Sequence, residues 1–409
     1  MDSVSRREDR KLFWLFSGVE FTYWLAYSVG GYLIVFLQES GMNGTQQGVL
    51  NALMAAVAIF GAPILGAVSD RIRSERKVLF LCLLVSVVVW LFIPWSSRTM
   101  LGSVPLVMLL ASLCNFFKSP ATTVKDSWVV AEANAKGLNY GAIRLWGSIG
   151  YAIISIALSW ILPRTGTECT FYLYAAFSIP VLLLVLFGRE ERRADGEKPR
   201  QRFRDMDFGG LFRIYYYSVF LIFGFLFYVA SNTATSFIPY LITALGDDSA
   251  RVGFIYGYRA VLEVPMLLVS AGLRRRFPLQ TLIPAAALLF AGDCILNSFA
   301  SGLGVMIVNS TLTGLGSGIF IATATNYIYR LAPEELRATA QMVFAATSSV
   351  AGIVGFLLGG RLLDLLGART FFLTAGLVLV GAAAFFVLSF LAGAKIFKKP
   401  VPKGILARF

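Results

Sequence analysis

The sequence predicts an all-α membrane protein: twelve transmembrane helices in two pseudo-symmetric six-helix bundles, with both termini cytoplasmic. Three observations carry that prediction. Apolar residues make up 57% of the 409-residue chain, and charged residues only 14%, against about a quarter in soluble domains. The apolar residues gather in twelve blocks, each near the ~20 residues a helix needs to cross the hydrocarbon core. Lys and Arg are also divided very unequally between alternate loops. Together these exclude a soluble enzyme, a nucleic-acid binder and a disordered scaffold.

The blocks run in order at about 12–37, 47–68, 77–95, 102–131, 140–162 and 170–187, then 211–241, 252–273, 279–299, 304–329, 338–360 and 370–394. The fourth is long enough for its inner end to project into the cytoplasm. With both termini on one side, that side collects 28 of the 36 Lys and Arg, Lys125 among them. The opposite side holds five, and Lys118, Arg144 and Arg259 fall within spans. The positive-inside rule then puts both termini in the cytoplasm of an inner-membrane protein. The net charge of +13 follows from topology and needs no nucleic-acid partner. The first apolar block is too long for a cleavable signal peptide.

Gly188–Asp207 carries seven Lys/Arg and six Asp/Glu in 20 residues, so it reads as a solvated linker. The expected division is a bundle over 1–187, a cytoplasmic linker over 188–210, and a second bundle with its tail over 211–409. Each half repeats a basic loop after its second span, Asp70–Lys77 and Arg274–Arg276. Two six-helix halves with weak repetition are a transporter signature. Cys82, Cys114, Cys169 and Cys294 show no metal or redox spacing and read as free thiols. The chain has no histidine. No nucleophile–base pair or ligand cluster emerges, so no enzyme activity, metal or cofactor is expected. The expected partners are a small-molecule substrate, protons and the lipid bilayer, for a monomer.

Three constellations carry chemistry. The first is Gly66-Ala-Val-Ser-Asp-Arg-Ile-Arg-Ser-Glu-Arg-Lys77, where a small Gly66 lets helices approach and Asp70, followed by Arg71, can cap or salt-bridge a helix end. The second is Tyr140-Gly-Ala-Ile-Arg-Leu-Trp-Gly-Ser-Ile-Gly-Tyr151, with Arg144 inside an apolar helix. A charge there is costly unless paired or wetted. Asp126 lies at a matching depth on the preceding span, about 8–9 Å from the same membrane face at 1.5 Å per residue, so the two are expected to pair. The third comprises Arg259 and Glu263, which share a helix face four residues apart, and Asp293 on the next span. Glu20 is a further intramembrane acid without an evident partner. Lys118 and Arg259 add positive charge that would suit an anionic solute. Gly314, Gly316 and Gly318 read equally as a flexible stretch or as close packing.

The loop at Gly66–Lys77 resembles the G-x-x-x-D-R-x-G-R signature of the major facilitator superfamily. It departs from it at Arg73, where glycine is common, and in its late Arg76-Lys77. Asp126, Arg144, Leu331–Gln341, Gly359-Gly360 and Asp364 resemble the oligosaccharide:proton symporter branch, which includes the lactose permease. The resemblance implies sugar binding by Asp126 and Arg144, ring stacking on Tyr151 and a sugar contact at Glu263. It makes Gly66, Asp70 and Arg71 gating residues. The branch places proton chemistry on helix 10, yet Val308–Gly318 has no ionisable group. The proton carrier is then one of Glu20, Asp126, Glu263 and Asp293, with Glu263 and its neighbour Arg259 ranked first. The expected function is proton-coupled symport of a sugar or other small polar solute, with a proton antiporter exporting sugars or drugs as the alternative. Glu20 leans toward the exporter; the absence of a helix 5 Gly-Pro signature leans away from it.

Overall fold

In lipid a chain segment must satisfy its own N–H and C=O groups, and the α-helix is the way a single segment does so. The computed structural model describes residues 3–72, 74–101, 104–188 and 208–399. The first part of the chain forms α1 (Ser3–Val29), a 3-10 turn at Gly30–Tyr32, α2 (Leu33–Glu39), α3 (Gly44–Ile72), α4 (Glu75–Leu91), α5 (Ile93–Ser96), α6 (Leu106–Ala135), α7 (Tyr140–Thr165) and α8 (Cys169–Phe187). A two-residue antiparallel pair, Met100–Leu101 with Val104–Pro105, precedes α6. The second part forms α9 (Phe208–Phe212), α10 (Tyr215–Ser236), α11 (Ile238–Ala244), α12 (Gly253–Arg276), α13 (Leu279–Ser298), α14 (Leu303–Leu331) and α15 (Arg337–Lys395).

Local chemistry sets several boundaries. The Ser74 hydroxyl accepts from Lys77 N and starts α4; the Asn139 amide oxygen accepts from Ala142 N and starts α7. Both are N-cap bonds that satisfy otherwise orphaned helix donors. Gly44 N and Thr45 N at the start of α3 donate instead to the distant Asp364 carboxylate, at 2.8 and 2.7 Å. The blocks expected at 338–360 and 370–394 lie in one helical run, interrupted at Gly367. Its φ of 76° is a left-handed conformation that glycine adopts without strain.

Seven helices among the described residues have the length and apolarity to cross a membrane, namely those of α3, α7, α8, α10, α13, α14 and α15. Large apolar side chains such as Phe187, Tyr172 and Leu388 stand more than 60% exposed. On a water-soluble protein such a surface would drive aggregation; in a bilayer it is the lipid-facing coat.

The chain divides into two compact units: Met1–Met42 with Leu53–Glu197 and Ala250–Gly257, and Asn43–Ala52 with Lys198–Ser249 and Tyr258–Phe409. The first turns of α3 thus group with the second unit, and the lead into α12 with the first. Most of the expected linker, 189–207, lies outside the described residues. In the first unit α1 packs on α7 and α8, and α4 on α6 and α8, around Phe16, Val19, Leu79, Val129 and Trp128. In the second, α10 and α13 pack on α15. Its centre is aromatic: Phe227 stacks on Phe320 at 4.2 Å and Phe220 on Phe344 at 4.8 Å.

Candidate functional site

In the first unit α1 supplies Glu20 and Trp24, α6 supplies Lys125 and Asp126, and α7 supplies Arg144 and Tyr151. Close approach of α1 and α7 depends on glycine: a methyl at Gly147 would collide with Trp24, and one at Gly150 would lie 2.7 Å from Phe21 O. Both Glu20 carboxylate oxygens accept from Lys125 Nζ at 2.6 Å, and both side chains are fully buried. Trp24 Nε1 donates to Glu20 Oε2 at 3.0 Å. The Arg144 guanidinium stacks over the Trp24 ring at 4.4 Å and brings Nη1 to 4.0 Å from the same Glu20 oxygen.

This geometry corrects three expectations. Asp126 does not pair with Arg144; its Oδ1 faces the Lys125 ammonium at 2.8 Å. Glu20, expected to stand alone, is the centre of the network. Lys125, counted as a loop charge, is buried. Two acids and two bases make the group neutral, with Glu20 and Lys125 fully buried and the Asp126 and Arg144 side chains 37% and 33% exposed. Arg144 Nη1 makes no hydrogen bond among the described residues, while Asp126 Oδ1 has the Lys125 ammonium as its partner. Tyr151 lies edge-on to Trp24, with ring centroids 6.1 Å apart. A donor fork and an acceptor beside an aromatic pair match vicinal hydroxyls on an apolar ring face.

The second unit holds a separate charge centre. Arg259 Nη2 donates to Asp293 Oδ2 at 2.5 Å, Thr313 Oγ1 donates to the same oxygen at 2.7 Å, and Asn297 Nδ2 donates to Oδ1 at 2.9 Å. Asn309 completes the chain by donating to Asn297 Oδ1 at 3.0 Å. Asp293 is therefore saturated, and Arg259 pairs with it rather than with Glu263. The shared helix face placed Glu263 near Arg259, but α13 presents a better-positioned carboxylate. Half-buried Glu263 accepts one hydrogen bond among the described residues, from Ser317 Oγ at 2.9 Å.

Lys118 sits apart from both centres, among the rings of Tyr27, Trp90 and Tyr174. At the expected gating loop, a methyl on Gly66 would meet nothing within 4 Å among the described residues. Arg71 is exposed, and the Asp70 side chain lies outside the described set. Gly314 and Gly316 do mark close packing, against Leu262 and Phe290. Sequence reasoning missed Lys125, Trp24, Thr313, Asn297 and Ser317. Lys125 alone carried a signal, as a charge adjoining Asp126 in an apolar run.

The family model described as the MFS_1 like family matches residues 14–374. The maltose permease of Geobacillus stearothermophilus is 29% identical over 338 residues, covering 81% of this chain and 82% of that protein. Sugar efflux transporter A of Dickeya chrysanthemi is 25% identical over 356 residues, covering 80% and 82%. Among solved structures, the nucleoside transporter NupG superposes with a TM-score of 0.77 over 93% of this chain and 99% of its own, at 17% identity. That likeness concerns the fold alone.

Proposed function

Because the chain belongs to the MFS_1 like family of major facilitator superfamily transporters, we propose that it is a proton-coupled sugar symporter working by alternating access. The observation that carries this reading is the unfilled Arg144 Nη1 near the partly exposed Asp126 carboxylate, beside the Trp24–Tyr151 rings. The pair binds adjacent hydroxyls, and the rings take the apolar face of a sugar. Likeness to a maltose permease supports an oligosaccharide, with maltose the first to test. The reading includes twelve spans, cytoplasmic termini and a monomer in the inner membrane.

Glu263 is the proton carrier in this account. Asp293 is held by three donors and Glu20 by a buried ammonium, so protonating either leaves a cation or a donor without its partner. Among the described residues Glu263 has a single neutral hydroxyl, that of Ser317, to lose. Asp70 and Arg71 act at the inner end of α3, biasing conformations without touching solute.

The test is counterflow in proteoliposomes with labelled maltose, raffinose, melibiose and a nucleoside. Maltose exchange supports the reading; nucleoside exchange alone would replace the substrate class. Likeness to a sugar efflux transporter favours a second reading, export by proton antiport. Under it, an imposed inward pH gradient expels the sugar instead of accumulating it.

A further inference from the structure

Trp24 of α1 meets two of the charges in the first unit with two different parts of its indole. Its Nε1 donates to Glu20 Oε2 at 3.0 Å, the oxygen that also accepts from Lys125 Nζ at 2.6 Å. Its ring carries the Arg144 guanidinium, whose central carbon lies 4.4 Å from the ring centroid. Glycine at 147 leaves room for this group. A methyl there would collide with the Trp24 ring and lie 2.7 Å from Arg144 Nη1 and 3.0 Å from Glu20 Oε2.

The arrangement explains why Arg144 and Glu20, opposite charges at close quarters, share no hydrogen bond. A carboxylate oxygen offers about two lone-pair positions. On Glu20 Oε2 the Lys125 ammonium and the Trp24 N–H take both. Arg144 Nη1 stops 4.0 Å away, beyond hydrogen-bond distance, and makes no hydrogen bond among the described residues. The indole face holds the guanidinium there by cation–π attraction, which uses none of its N–H groups. The donors of the fork therefore stay free. The Arg144 side chain is 33% exposed, so a solute has a way to reach it.

We propose that Trp24 is a positioning residue that reserves Arg144 for the solute. It fills the Glu20 acceptor that the guanidinium would otherwise take, and it carries the guanidinium on its ring until solute hydroxyls accept from it. The ligand in this inference rests on the sugar reading above; the arrangement of Trp24, Glu20 and Arg144 in the empty protein does not. Removing the indole N–H alone opens Oε2 to Arg144. A solute must then break a charged hydrogen bond before it can bind.

Two measurements on the full-length protein in detergent test it, the first without sugar. In protein labelled with fluorotryptophan, the Trp24 fluorine resonance is identified by its loss in Trp24→Phe. It should shift in Arg144→Gln, because the cation leaves the ring. An unmoved resonance overturns the proposal whatever the solute. The second measurement is calorimetric titration with maltose. Trp24→Phe keeps a ring face but lacks the N–H, and its affinity should fall about tenfold, the worth of the charged hydrogen bond that Arg144 gains to Glu20. Adding Glu20→Gln and Lys125→Met removes the competing carboxylate together with its ammonium and should restore affinity close to wild type. A merely structural role for Trp24 would not be rescued by two further core substitutions. Wild-type affinity in Trp24→Phe, or no recovery in the triple variant, overturns the proposal. If Trp24→Phe does not fold, the fluorine shift decides, with the resonance identified through Trp24→Tyr. A fluorine shift in a protein that binds no maltose supports the placement of Arg144 on Trp24 and overturns the choice of sugar instead.

Discussion

The two charge centres are built differently. In the first unit Glu20 and Lys125 are fully buried and locked together, yet the adjoining Arg144 keeps Nη1 unfilled and Asp126 is partly exposed. In the second unit Asp293 has its cation and two further donors, while Glu263 stands apart with one hydroxyl. Each centre thus pairs a tightly bonded ion pair with a less bonded neighbour, although Arg259 Nε is itself buried without a hydrogen bond among the described residues. The difference is in the neighbour: a bidentate fork and an acceptor in one, a lone titratable acid in the other. In the proposed function the first reads hydroxyl geometry and the second exchanges a proton.

The sharpest way to break this comparison is to remove one member of a saturated core. Lys125→Met leaves Glu20 buried without its ammonium, and Asp293→Asn leaves Arg259 short of its carboxylate. Each should cost about 3–5 kcal/mol of stability, because an uncompensated charge remains in the interior. Thermal unfolding in detergent measures it. Combining Glu20→Gln with Lys125→Met should recover much of the first loss. If the double variant is less stable than either single one, the pair is not a coupled core.

A smaller effect is expected at the unsaturated side of the first unit. Arg144→Lys keeps the charge but loses the planar fork that reaches two oxygens. Affinity for the transported sugar should fall about tenfold to a hundredfold, the worth of a charged hydrogen bond, while folding stays near wild type. Calorimetry reads the affinity. Wild-type affinity in the lysine variant would make Arg144 only a counter-ion of Glu20.

The smallest expected effect lies outside both centres. Asp70→Asn should slow exchange several-fold while leaving sugar affinity within a few-fold, since a conformational bias changes rate more than contact. Initial rates in proteoliposomes check it, and an unchanged rate in well-expressed protein would remove Asp70 from gating.

The helices were legible because apolar runs of spanning length leave the backbone few alternatives; the elements fall close to the expected blocks. The block at 12–37 is subdivided, because glycines at 30 and 31 admit a 3-10 turn between α1 and α2. The partners of the charges were much less legible. Residue spacing gives depth along a helix axis, so Asp126 and Arg144 were matched by depth. It does not give the rotation of a helix about its axis. Glu20 on α1 reaches Lys125 on α6, 105 residues away in sequence, while glycines at 147 and 150 let α1 settle against α7. The i,i+4 spacing of Arg259 and Glu263 was a real shared face, overridden by Asp293 from α13. Local spacing proposes pairs, and tertiary packing chooses among them.

If Glu263 couples transport to protons, one variant shows it directly. Glu263→Gln keeps the shape and the Ser317 contact but cannot ionise. In proteoliposomes it should still exchange labelled maltose across the membrane at equilibrium. It should fail to accumulate maltose when an inward pH gradient is imposed. Accumulation equal to wild type would contradict the account and move the proton to another group.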